Sequence, residues 1–117
     1  MFNLVVGLGV QGKKRVKFLK GKYITLDAIK KNADYNKLSN VPLKNITHAY
    51  VCTPEKEKFN LIKKLINNNI HVLVEKPLIF TIKQEQYISK LLRSKKLTLY
   101  TAYNHRFEPN LVKAKNI

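Results

Sequence analysis

Asn3-Leu4-Val5-Val6-Gly7-Leu8-Gly9-Val10-Gln11-Gly12 is a short apolar run that breaks into three glycines at the spacing G-x-G-x-x-G. A continuous apolar run of this length reads as a buried strand of a parallel sheet. The residues after it, Gln11 to Lys20, place Val16, Leu19 and the stem of Arg15 at helical spacing. Strand, glycine turn and helix in that order form a dinucleotide-binding frame rather than an ordinary glycine-rich loop. Gly7 permits the tight turn, Gly9 lets the backbone approach a pyrophosphate, and Gly12 lets helix and strand pack closely. With Leu8, Val10 and Gln11 they make the candidate phosphate cradle, because the helix start presents free N–H groups and a partial positive charge.

The pattern repeats outward from this unit. Tyr23 to Asp27 alternates and is rich in strand formers. Residues 28–46 are polar and irregular, with Asn40 and Pro42 as breakers, so a loop or short helix is expected there. His48 to Cys52 is a strand, and Thr53-Pro54 reads as an N-cap with proline in the first helical turn. Phe59, Ile62, Leu65 and Ile66 then share one helical face, and Asn67-Asn68-Asn69 closes the helix with a left-handed cap. Ile70 to Val74 is the next strand. Thr81 and Gln84 make a capping box for a helix with Ile88, Leu91 and Leu92 inward. Leu97 to Thr101 is the last strand, followed by a loop over Asn104-His105-Arg106-Phe107. Strands alternating with helices predict an α/β, Rossmann-like, doubly wound parallel sheet, a single domain over residues 1–117.

Composition limits the function classes. The chain has 117 residues and 44% hydrophobic content, enough for one globular core. No apolar stretch is long enough to span a bilayer and the N-terminal run lacks the basic start of a leader, so a cytoplasmic protein without membrane partners is expected. Cys52 is the single cysteine, which excludes an internal disulfide, and no metal site is expected. The formal charge of +16 raises nucleic-acid binding. The lysines, however, are spread over every expected helix, and no recognition-helix or zinc-finger pattern accompanies them, so nucleic acid ranks last among the partners.

Asp27 ends the second strand, slightly nearer the glycine turn than the roughly 20 residues usual for a ribose-binding carboxylate. A carboxylate there accepts hydrogen bonds from adenosine ribose hydroxyls and repels a 2′-phosphate, favouring NAD. Lys30 and Lys31 soften that repulsion and leave NADP open.

Thr53-Pro54 before a helix and Glu75-Lys76-Pro77 after a strand, in sequence behind the glycine turn, resemble the Gfo/Idh/MocA oxidoreductase family, named for glucose-fructose oxidoreductase and inositol dehydrogenase. The resemblance runs from Phe2 to about Pro109, and Asn104-His105-Arg106-Phe107 is similar to the family's arginine-containing segment. It implies hydride transfer between a nicotinamide and a sugar, nucleotide sugar or cyclitol carbon. It implies that Lys76 is catalytic, lying near the nicotinamide and the reacting hydroxyl, and that Pro77 stiffens the turn that aims it. Cys52, Thr53, Pro54, Glu75, Lys76, Pro77 and Arg106 are then cofactor-side residues, with NAD(H) as the bound partner. Lys58 stands where the family often has histidine, a departure that puts one cofactor-side contact in doubt. The family's C-terminal α+β substrate domain does not follow Ile117, so a partner chain or self-association is expected to cover the exposed side. A non-catalytic dinucleotide-binding module or remnant is the alternative reading.

Overall fold

The computed structural model describes residues 2–19 and 22–102, and the expected alternation runs through them. The elements are β1 (Phe2–Val6), α1 (Val10–Phe18), β2 (Tyr23–Leu26), β3 (Ile46–Val51), α2 (Glu55–Asn67), β4 (His71–Glu75), α3 (Ile82–Lys95) and β5 (Leu99–Ala102). The expected loop at Asn104–Phe107, with Arg106, lies outside the described residues. All four strand pairings are parallel and the sheet order is β2-β1-β3-β4-β5. The chain therefore leaves β1 toward one edge of the sheet and returns to build the other half on β1's opposite side. The order reverses between β1 and β3, where doubly wound sheets open a crevice at the carboxyl ends of their strands.

Register explains how the strands bury. Leu4, Ala49 and Val72 lie side by side, as do Val6, Val51 and Val74. Both rows point to one face and pack in one cluster with Ile62, Leu65 and Ile66 of α2 and Ile88 of α3. The face read from the periodicity of α2 is the one that is buried, with Phe59 packed at its margin. Val5 points to the opposite face, where its Cγ1 lies next to Gly12 of α1. Strands that bury both faces read as unbroken apolar runs, which is why β1 was recognisable without alternation.

The irregular stretch between β2 and β3 contains two single 3-10 turns, Leu38–Asn40 and Leu43–Asn45. It is tied down at Thr25, whose amide and hydroxyl both donate to Asp34 Oδ2 at 2.9 and 3.1 Å. β3 begins at Ile46, two residues before the expected start. The register slips by one residue between Phe2 and Asn3, and this slip turns Ile46 into the core, where it is buried.

The helix ends follow their local chemistry. Asn69 takes a left-handed φ of 64° after α2, as the asparagine run predicts. Thr81 Oγ1 accepts from the Gln84 amide at 3.1 Å while Gln84 Oε1 accepts from the Thr81 amide at 3.0 Å. One expectation is corrected: Thr53 does not cap α2. Pro54 is the capping residue, no side chain caps the helix, and α2 starts at Glu55. The Thr53 side chain is drawn inward instead, with its methyl on the Gly7 side.

Candidate functional site

The loops after β1 and β3 meet at the sheet's switch point. The Gly7 amide donates to Leu26 O and the Cys52 amide to Val6 O, both at 2.8 Å, so the ends of β2, β1 and β3 are stitched together. Gly7 has φ +91°, and a Cβ on it would stand 2.8 Å from Cys52 O. Both conditions require glycine. A Cβ on Gly12 would stand 1.7 Å from Gly7 O, so α1 rests directly on the turn. Gly9 differs from both, because a Cβ there would meet nothing within 4 Å. The turn is closed on the protein side and open on the solvent side at Gly9.

α1 starts from this open position. Gly9 precedes it without a side-chain cap, its first turn holds no acidic residue, and its first bond runs from the Lys13 amide to Gly9 O at 3.0 Å. The first-turn amides at Val10, Gln11 and Gly12 therefore lack capping side chains. That leaves N–H groups and the positive end of the helix for an anion.

Asp27 sits at the rim, but its carboxylate is already engaged. Oδ2 accepts from the Leu8 amide at 2.7 Å, and Oδ1 accepts from the amides of Ile29 and Lys30 at 2.9 and 3.0 Å. Partial burial pushes its pKa up, yet the bonds from Leu8, Lys30 and Ile29 outweigh burial and hold it below the ordinary carboxylate value. Asp27 is thus an ionised strut under the glycine loop, a role its sequence position alone did not reveal. Leu8 takes part through its amide, while its side chain is buried.

Across the switch point, the residues after β3 and β4 come together. Glu75 Oε1 accepts from Arg15 Nε and Nη2 at 3.0 and 2.7 Å, a part-buried ion pair between β4 and α1. Lys58 of α2 is 1% exposed, and its Nζ donates to Glu75 O at 2.5 Å and to Pro77 O at 2.6 Å. Position 58 therefore faces inward to the turn after β4 and not outward as a cofactor-side contact. Lys76 stands exposed between these two anchored carbonyls, followed by a cis bond to Pro77.

Cys52 is half-buried beside the same groups. Burial first, and the Glu75 carboxylate second, push its thiol up to about 11, against the opposite pull of Arg15 and Lys58. It is a neutral packing group beside the turn. Thr53 Oγ1 is buried and has no hydrogen-bond partner among the described residues. A buried hydroxyl is costly to leave unpaired, which makes this atom a candidate polar contact. Among the described residues, no three His, Cys, Asp or Glu side chains gather as metal ligands. No described helix is long and apolar enough to cross a membrane.

Sequence reasoning singled out the glycine turn, Asp27, Thr53 and Glu75-Lys76-Pro77, and the structure gathers them at the carboxyl ends of β1 to β4. It missed the work of Arg15 and Lys58. Lys58 had a readable signal, since it lies four residues before Ile62 on the apolar stripe of α2 and a cation on such a stripe needs a buried partner. Arg15 had none, because its partner is 60 residues away.

The chain matches the Gfo/Idh/MocA model, an oxidoreductase family with an NAD-binding Rossmann fold, over residues 4–103. It is 28% identical over 85 residues to the uncharacterized oxidoreductase YrbE of Bacillus subtilis, covering 73% of this chain and 24% of YrbE. Its fold is similar to that of UDP-N-acetylglucosamine 3-dehydrogenase GnnA from Acidithiobacillus ferrooxidans. That match has a TM-score of 0.80 and 16% identity, with coverage of 99% of this chain and 42% of GnnA. It is equally similar to the WlbA dehydrogenase from Thermus thermophilus in complex with NAD and alpha-ketoglutarate. There the TM-score is 0.80 and the identity 17%, with coverage of 98% of this chain and 45% of WlbA. The chain thus spans about a quarter of the curated relative and somewhat under half of the solved proteins.

Proposed function

From the premise that this chain belongs to the Gfo/Idh/MocA oxidoreductase family, with its NAD-binding Rossmann domain, we propose that it binds NAD(H) at the β1–β3 switch point for hydride transfer to or from a sugar, nucleotide sugar or cyclitol. The observation that carries this reading is the unequal packing of the three glycines. Gly7 and Gly12 are filled from behind, whereas Gly9 alone opens outward at the start of an uncapped helix. A pyrophosphate fits such a place, since it needs close backbone approach and N–H donors together.

The remaining residues take roles around it. The ionised Asp27 at the end of β2 receives ribose hydroxyls on its remaining lone pairs and disfavours a 2′-phosphate, so NAD is preferred to NADP. Thr53 supplies its unpaired hydroxyl, with Cys52 and Pro54 forming the wall beside it. When bound, the nicotinamide supplies the hydride acceptor or donor. Lys76 holds the reacting oxygen and moves its proton, taking it up as the neutral amine when the alcohol is oxidised and giving it back as the ammonium when the carbonyl is reduced, from a flexible side chain within hydrogen-bond reach of that oxygen. Arg106 contributes a cofactor-side cation. In this reading the chain works in the cytoplasm and supplies the cofactor side of the cleft. A near-attack geometry shielded from water needs more than one wall.

Calorimetric titration of the purified chain with NADH, repeated on Gly9→Asp, tests the reading. The Gly9 backbone has φ −72°, which aspartate adopts without strain, so the variant keeps its fold while its carboxylate occupies the phosphate approach. Saturable binding to the wild type, lost in the variant, is expected. A folded wild type that binds no NADH at millimolar concentration would refute the reading.

A further inference from the structure

We propose that Lys58 is a positioning residue that fixes the backbone of Lys76 and thereby sets where the Lys76 ammonium reaches; the functional half of this inference rests on the cofactor reading above. Lys58 is as buried as Ile62 and Leu65 on the same stripe of α2. Removing an ammonium from water is costly unless its protons are satisfied, and an apolar side chain of similar volume packs such a position at least as well. The donors go to Glu75 O and Pro77 O, the carbonyls one residue before and one residue after Lys76. Glu75 O belongs to the peptide unit directly before the Lys76 Cα and Pro77 O to the unit just beyond the proline, so the ammonium pins both ends of the two-residue span Lys76-Pro77, and with it the direction of the Lys76 Cα–Cβ bond.

A second restraint acts on the same turn from the opposite side. Arg15 of α1 holds the Glu75 side chain by both Nε and Nη2. Helices from the two faces of the sheet thus converge on the residues flanking Lys76, and Lys76 itself is left exposed. A tight bend alone would be served by local backbone bonds; a cation from a helix 17 residues away is a longer-range device. Charge-assisted bonds of this kind are stronger than neutral ones and hold geometry more firmly.

The test combines hydrogen exchange with a double-mutant cycle on the whole chain. Exchange at the amides of Lys76 and of residues 78–80 is measured by mass spectrometry in wild type, Lys58→Met and Lys58→Arg. Lys58→Gln takes the place of the methionine variant if that one does not fold. Removal of the cation is expected to speed exchange at least tenfold in this segment alone, and arginine to restore protection. Unchanged exchange, or acceleration spread evenly over the chain, would overturn the proposal. NADH affinity is then compared for Lys58→Met, Lys76→Met and the pair. A loss of fivefold or more from Lys58→Met that shrinks to within twofold when Lys76 is already methionine shows that Lys58 acts through Lys76. Losses that simply multiply would overturn it. If the wild type binds no NADH, the cofactor reading fails, and the exchange measurements alone decide whether Lys58 clamps the turn.

Discussion

Replacing Gly12 by alanine should destabilise the domain, although the position lies inside a helix. Taken locally, alanine is the better helix former by about 1 kcal/mol. In the structure the added Cβ would stand 1.7 Å from Gly7 O and 2.8 Å from Gly7 C, where an ordinary contact needs about 3.5 Å. The obstacle is backbone held by strand bonds on both sides, so α1 must move. Clearing the oxygen from 1.7 Å takes a retreat of roughly 1.8 Å, more than the rise of one helical residue. Such a shift carries Arg15 away from Glu75, stretching the 2.7 Å ion pair past its useful range. Overpacking costs about 3 kcal/mol, and the loss of a partly exposed ion pair adds about 0.5 kcal/mol. Less the helical gain of about 1 kcal/mol, the net loss is about 2 to 3 kcal/mol. That is a large part of the stability of a small domain, and lowers its melting temperature by roughly 10 °C. Urea unfolding followed by far-ultraviolet circular dichroism measures the loss, with Gly9→Ala as control. The control has open space around its Cβ and loses only the N-cap preference of glycine over alanine, so it should stay within about 1 kcal/mol of wild type. A Gly12→Ala protein as stable as wild type, or more so, would refute the packing argument.

Cys52 should resist alkylation by iodoacetamide at pH 8 in the folded protein and react quickly in urea, because burial keeps the thiol neutral up to about 11; comparable rates in both states would contradict its placement. The same raised value means that the buried thiol's stabilising contribution is present below its unfolded pKa and lost as pH climbs toward 11, so Cys52→Ala should flatten the alkaline limb of the stability curve. Asp27 has a lowered folded pKa, so its contribution is present above the ordinary carboxylate value and disappears as pH falls through the lower folded one. Asp27→Asn should accordingly show a shallower acid limb in pH-dependent urea midpoints, and an unchanged acid limb would remove the strut. Thr81→Ala removes the Oγ1 that accepts from the Gln84 amide, while the backbone amide at position 81 can still donate to Gln84 Oε1, and should cost about 1 kcal/mol in the same unfolding assay.

The fold was legible because its signals are local. Turn chemistry at Gly7 to Gly12, the asparagine run after α2 and the Thr81–Gln84 box each act within a few residues, and apolar periodicity marks the buried face of α2 without knowledge of its neighbours. Thr53 shows where local reasoning misleads. Its type and place before a helix match an N-cap, but its methyl lies on the Gly7 side and its hydroxyl is buried without a partner among the described residues. Lys58 stood on a readable apolar stripe, yet the pattern could not say which carbonyls it would meet.

The amino-acid sequence by itself determined the succession of strands and helices, the glycine turn and the family to which they belong, because these depend on backbone preferences and spacing over short distances. Only the tertiary structure decided that Asp27 props the loop through Leu8, that Arg15 holds Glu75, and that Lys58 grips the carbonyls on either side of Lys76. Those pairs are 17 to 60 residues apart, and which side chains meet at such separations is set by the order of strands in the sheet and the faces on which its helices lie.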